Sequence, residues 1–200
     1  RCPDRGSPPS VNPAGRASAG RPNRLHGALN EGSPVESRPR GAGHWEAKRA
    51  DVNNTLFQGL TKMKITTNCR PANGDYEQYI IGEYAVYRMY QAISPLHFRT
   101  RLAHITYKDS AGPKSNADVV SWAFFIEDDG EMLRQNKLAA LKQTGALFDD
   151  VEQKQLMTTM LFEYMIGNTD MSIWALHNVR LVQKPDRTLT AVPYDFDLSG

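Results

Sequence analysis

The residues best suited to chemistry lie near the end of the chain, in three clusters: Gly167-Asn168-Thr169-Asp170, His177-Asn178 and Tyr194-Asp195-Phe196-Asp197. Phosphoryl transfer needs an acid to position the attacking hydroxyl, and an amide with a carboxylate to hold a metal on the phosphates. Asp170, Asn178 and Asp195 supply those groups in that order. Each also has a plainer use: an acid in a loop caps turns, and a His-Asn pair can brace one. Asp195 and Asp197 alternate, so an extended segment would put both on one face with Phe196 opposite. Two acids on one face are costly unless a cation lies between them.

The elements that must carry these clusters follow from hydrophobic period. Residues 60–67 alternate apolar and polar with β-branched side chains, as a half-buried strand does. Pro71 to Gly74 has turn chemistry, and residues 76–93 read as a helix with Tyr76, Ile80, Tyr84, Tyr87 and Tyr90 on one face. Glu83 falls inside that apolar arc, where a carboxylate must find a cation or bear a heavy desolvation cost. Lys62 and Lys64, two apart on the preceding strand, are the nearest candidates.

Residues 100–107 give a second strand, 109–116 a polar loop, and 119–127 a strongly apolar third strand that ends in the acidic turn Glu127-Asp128-Asp129-Gly130. A helix is expected over 131–143, anchored by Met132, Leu133 and Leu138. The acids at 149–152 favour a helix start, and the helix from Glu152 to Ile166, apolar over much of its circumference, is expected to be central and buried. Residues 179–182 and 190–192 should pair as a small hairpin around Lys184-Pro185-Asp186. The fold class is α+β without internal repeats.

Charge and composition divide the chain. Residues 1–50 hold 7 of the 12 prolines, 7 of the 15 glycines, and 9 basic against 4 acidic residues. Such a segment has too little apolar surface to offset the entropy of ordering it, and reads as a disordered basic tail preceding a body over 51–200. Its arginines are scattered without aromatic interleaving, so nucleic acid is not an expected partner. No run approaches the roughly 18 apolar residues of a membrane span. Cys2 and Cys69 lack metal-ligand spacing, and Cys69 reads as a small, half-buried residue. The chain starts at Arg1 and stops at Gly200 just behind the last acid, which reads as a piece of a longer protein.

The runs Ile166-Gly-Asn-Thr-Asp170, His177-Asn178-Val-Arg-Leu and Val192-Pro-Tyr-Asp-Phe-Asp197 resemble the atypical, protein-kinase-like fold of the spore-coat kinase (CotH-like) family. They are more distantly similar to HipA-type toxin kinases, and runs like Glu83-Tyr-Ala-Val-Tyr-Arg88 and Tyr194-Asp-Phe-Asp197 are familiar from bacterial proteins of this kind. The resemblance covers about residues 60–200 by order of elements and implies a small lobe plus the first part of a large lobe. It implies ATP and Mg²⁺ as cofactors and a hydroxyl of a protein or small molecule as phosphoacceptor. By the same resemblance Lys64 pairs with Glu83 and meets the phosphates, and Glu127 and Asp128 lie at the hinge over the nucleotide. Asp170 is then the catalytic base, Asn178 and Asp195 are metal ligands, and Asp197 is a second ligand or supporting acid.

The pattern departs from ordinary kinases in several places. Asp170 and Asn178 are eight apart, where ordinary kinases use five, so residues 171–176 must loop out. No Gly-x-Gly-x-x-Gly run precedes Lys64, and Asp-Phe-Asp replaces Asp-Phe-Gly. With the remainder of a large lobe missing after Gly200, the resemblance implies a chain inactive by itself. Two other readings stay open. One is a non-catalytic kinase-like binding module. The other is a metal-dependent sugar-nucleotide enzyme, in which Asp-x-Asp chelates a metal on a diphosphate while Lys64 and Glu83 have no task.

Overall fold

The computed structural model describes residues 62–68, 76–107, 119–142 and 144–199, positions 53, 54, 58 and 60, and the backbone of three short strands nearer the N-terminus. Those strands are β1 (Arg24–His26), β2 (Pro34–Ser37) and β3 (Ala42–Glu46), followed by β4 (Lys62–Thr67), α1 (Glu77–Ile93), β5 (Thr100–Tyr107) and β6 (Val119–Glu127). Then come α2 (Asp129–Asn136), β7 (Ala139–Leu141), α3 (Gln153–Met165), β8 (Val179–Gln183) and β9 (Leu189–Pro193). The strands form two antiparallel sheets, one in the order β1-β2-β3-β4-β6-β5 and closed on itself, the other β7-β8-β9. The fold is mixed α+β.

Strand β4 buries Met63, Ile65 and Thr67 and turns Lys62, Lys64 and Thr66 outward, the period-two pattern of a half-buried strand. Its neighbour β6 is buried almost throughout because it is central, pairing with β4 on one side and β5 on the other. Helix α1 lies over this sheet, with Tyr87 against Phe124 at 5.6 Å between ring centroids. From there one core runs on through Met132, Phe162, Val182 and Val192 to Phe196, linking both sheets and the three described helices. Phe196 is 1 % exposed and meets Tyr87 edge-on at 4.8 Å and Phe162 at 5.8 Å. Burial of a phenylalanine contributes about 2–3 kcal/mol. That anchor fixes the backbone on which Asp195 and Asp197 sit.

Several expectations are corrected. The helix expected over 131–143 spans Asp129–Asn136: Lys137 turns left-handed at φ 55°, the Leu138 N–H closes on the Leu133 carbonyl, and Ala139–Leu141 pairs with β8. The anchors Met132, Leu133 and Leu138 do pack inward. Helix α3 is not wholly buried. Leu156, Thr159, Phe162 and Glu163 face the interior, while Met157, Met160, Leu161, Tyr164 and Met165 remain exposed on the opposite side. Its apolar circumference therefore overstated its burial. The acids Asp149 and Asp150 belong to a separate short turn that ends before Val151 bridges to Leu189.

Strands β1 to β3 fall within the stretch read as a disordered tail, and β3 pairs with β4 over Ala42↔Thr66 to Glu46↔Lys62. Backbone pairing of this kind needs no apolar composition. The rest of that stretch, both cysteines and the loops at 71–74 and 109–116 lie outside the described residues. Among the described residues no helix is long and apolar enough to cross a membrane.

Candidate functional site

Asp170 and Asn178 meet across a closed turn. Ser172 and His177 exchange backbone hydrogen bonds at 3.0 and 2.9 Å, so the chain between them folds outward. Ile173 anchors this turn at 4 % exposure, while Trp174 stays in solvent. Across its base the Asn178 Nδ2 donates to Asp170 Oδ2 at 3.1 Å, and His177 Nε2 lies 3.1 Å from Asp170 Oδ1. The turn closes the eight-residue step from Asp170 to Asn178, with residues 173–176 looped between Ser172 and His177. Asp170 is held from behind as well, because its N–H donates to Asn168 Oδ1 at 3.1 Å.

The β8–β9 hairpin brings the last cluster to the same place. The Tyr194 N–H donates to the Asn178 carbonyl at 2.9 Å, so the end of β9 is tied to the start of β8. Asp195 follows with φ 64°, and its N–H donates to the Tyr87 hydroxyl at 2.8 Å. Asn178 and Leu176 are also left-handed, at φ 52° and 53°. Asn and Asp tolerate that region, whereas leucine there is strained, and such strain collects at functional loops. The left-handed turn at Asp195 corrects one expectation: Asp195-Phe196-Asp197 is not an extended run, although Phe196 does point into the core.

Electrostatics join these acids to α1. Glu83 is 7 % exposed and its carboxyl is pushed up to about 8, first by burial, then by the charges of Asp195 and Asp197. Asp195 is raised too, by its own burial, then by Asp197, with Asp170 adding and His177 opposing. Acids from α1, the 167–170 loop and the segment after β9 thus share one field.

The expected ion pair between Lys64 and Glu83 is not made. Lys64 Nζ instead sits 2.6 Å from Asp129 Oδ1, at the start of α2. Arg180 Nε donates to the other oxygen of Asp129 at 3.0 Å, and its NH1 donates to the Tyr194 hydroxyl at 2.6 Å. Burial alone would raise Asp129, but the hydrogen bonds and charges of Lys64 and Arg180 override it and hold its carboxyl below the usual range. A cavity of about 350 Å³ opens beside this network, with Asp129 and Arg180 in its lining and Met132, Leu133, Leu181 and Val182 among its apolar walls. Tyr194, next to Asp195, carries the network to the acids, since Lys64 lies 5.7 Å and Arg180 4.2 Å from its ring centroid.

The two hinge candidates are occupied within the protein. Glu127 is 7 % exposed and takes a fork from Arg99 at 3.0 and 2.6 Å, plus the Arg99 N–H at 3.1 Å. Asp128 caps α2 by accepting from the Gly130 N–H at 3.0 Å. Asp129, Arg180 and Tyr194 stand inside the runs singled out in the sequence but had no role there. Arg180 did leave a signal, as the charged residue inside an apolar strand.

Among the described residues no group of three or more His, Cys, Asp and Glu side chains is disposed to hold a metal ion. The donors are nonetheless of the type Mg²⁺ selects: carboxylate and amide oxygens, needing one or two carboxylates when phosphates and water complete the shell. Against models of known protein families and against curated proteins the chain finds no match.

Proposed function

We propose that this chain carries an ATP- and Mg²⁺-dependent phosphotransferase site acting on a hydroxyl of a protein or small molecule. One observation carries the reading. Asn178 donates to Asp170 at 3.1 Å, its carbonyl accepts the N–H of Tyr194 at 2.9 Å, and Asp195, the next residue, feels the charge of Asp170. The pKa values of Glu83 and Asp195 rise first through burial and then through their neighbours' negative charge, and a bound cation would relieve the second part.

Asn178 and Asp195 are the residues that would hold Mg²⁺, with Asp197 beside them. The ion's chemistry, when bound, is to neutralise charge on the phosphates. Asp170 receives the proton of the acceptor hydroxyl. Its Oδ1 and Oδ2 are oriented by His177 and Asn178, so the carboxylate is already aimed. Lys64 and Arg180 supply positive charge next to the cavity. That cavity, at about 350 Å³ with apolar walls, suits a nucleobase.

A second reading has its own support. Lys64 is engaged by Asp129 rather than Glu83, which is what a non-catalytic kinase-like module would tolerate. Thermal melts of the 200-residue chain separate the two. Saturation at 100 times Kd adds about 2.7 kcal/mol, or several degrees. Stabilisation by ATP that requires Mg²⁺ and disappears in Asp195→Asn supports the site. A cooperative melt indifferent to ATP and Mg²⁺ rejects it in favour of the binding module.

A further inference from the structure

Glu163 lies on the inner face of α3 at 4 % exposure, and neither of its carboxylate oxygens has a hydrogen-bond partner. Such a group demands a reason, because leaving it unsatisfied costs the full desolvation of the carboxyl. Just past the helix Asn168 is 5 % exposed, and its Nδ2 is likewise buried without a partner. The Asn168 N–H donates to the Glu163 carbonyl at 3.0 Å, so backbone geometry keeps the two residues together. Their side chains are close enough for the amide to act on the carboxyl, yet not aligned into a bond.

The other end of the same amide is already in use. Asn168 Oδ1 accepts from the Asp170 N–H at 3.1 Å. An amide is a rigid plane, so a pull on Nδ2 is felt at Oδ1 and therefore at Asp170. Burial pushes the Glu163 carboxyl up to about 7, with the Asn168 amide drawing it slightly back. From α1, Tyr90 faces it, its hydroxyl engaged by Thr159 at 2.8 Å and Gln155 at 2.9 Å. Around Asp170 the ionisable neighbours are His177 and Asp195.

We propose that Glu163 is a positioning residue: in its charged form it takes the Asn168 amide and, through that amide, sets the backbone of Asp170. The role assigned to Asp170 rests on the function proposed above; the coupling itself does not. A charged carboxylate in this pocket has to find a donor, and Asn168 Nδ2 is a donor lacking an acceptor. The loop would then hold Asp170 differently on the two sides of neutrality.

The test follows the Asp170 backbone amide by NMR from pH 5 to 9, without nucleotide, in a His177→Gln background that removes the adjacent imidazole. A step with a midpoint near that of Glu163, about 7, is expected. It should vanish in Glu163→Gln and in Asn168→Ala, while Asn168→Ala leaves the Glu163 titration in place. Should either variant fail to fold, the Glu163 side-chain carboxyl signal in the background protein serves instead, and its midpoint must coincide with that of the Asp170 amide. An Asp170 amide that does not move between pH 6 and 8, a step that survives Glu163→Gln, or midpoints that differ would overturn the proposal. Coupling without Mg·ATP binding keeps the proposal and removes the catalytic role of Asp170. Mg·ATP binding with a silent amide does the reverse.

Discussion

Replacing Glu83 by glutamine should stabilise the protein at neutral pH, and by an amount that grows with pH. Glu83 titrates near 4.5 in an unfolded chain and at about 8 in the folded one. Because the folded value is the higher, its contribution is complete below pH 4.5 and is lost progressively as pH rises through 8. Each unit of difference is worth about 1.36 kcal/mol, so by pH 7 the wild type has given up ~3 kcal/mol that the glutamine variant keeps. The assay is urea denaturation of both proteins at pH 5, 6, 7 and 8, compared as the difference in unfolding free energy. Glu163, raised to about 7, gives both proteins a similar slope, which cancels in that difference. A difference that stays constant across the series would show that Glu83 is not held against its charge, and would refute the shared acidic field.

Asp195→Asn should move the Glu83 midpoint below 8, since Asp195 is the largest charge acting on it, as read from the Glu83 carboxyl signal by NMR. Lys64→Ala leaves Asp129 to Arg180 alone and should cost about 1–2 kcal/mol in urea melts, with the Asp129 midpoint rising toward the ordinary range. Phe196→Ala removes the ring that anchors the last cluster and should cost about 3–5 kcal/mol, checked by the same melts. Lys137→Gly, at the exposed left-handed end of α2, should raise stability by about 0.5–1 kcal/mol in a thermal scan, because glycine accepts φ 55° freely.

Local pattern revealed most of the elements, because each strand and helix carries its own period. The alternation at Met63 and Ile65 corresponds to buried positions, and of the expected face of α1 Ile80, Tyr87 and Tyr90 are buried while Tyr76 and Tyr84 are half-buried. Where the reading failed, a non-local force decided. Residues 139–141 were assigned to a helix, yet the edge of β8 claims them as a strand. Helix α3 looked central because hydropathy counts apolar residues without knowing which side is covered. For the site, the grouping of Asp170 with Asn178 came with the resemblance, and the structure joins the two by a 3.1 Å side-chain bond. Neighbouring elements offered Glu83 either Lys62 or Lys64 and the resemblance selected Lys64, but Asp129, shared with Arg180, takes it instead. No linear pattern reveals that competition, since it depends on three residues spread over 116 positions. The pairing of Glu163 with Asn168 was invisible for a different reason: orphaned atoms exist only once the surrounding core is built.

The most direct test of the central claim locates a divalent ion. Mn²⁺ with ATP, added in trace amounts to the isotope-labelled chain, broadens amide signals steeply with distance from the metal. The account requires Asn178 and Asp195 to broaden first, Asp170 and Tyr194 next, and the effect to weaken in Asp195→Asn. Broadening centred elsewhere, or none in the presence of ATP, would contradict a metal–nucleotide site at the end of the β8–β9 hairpin.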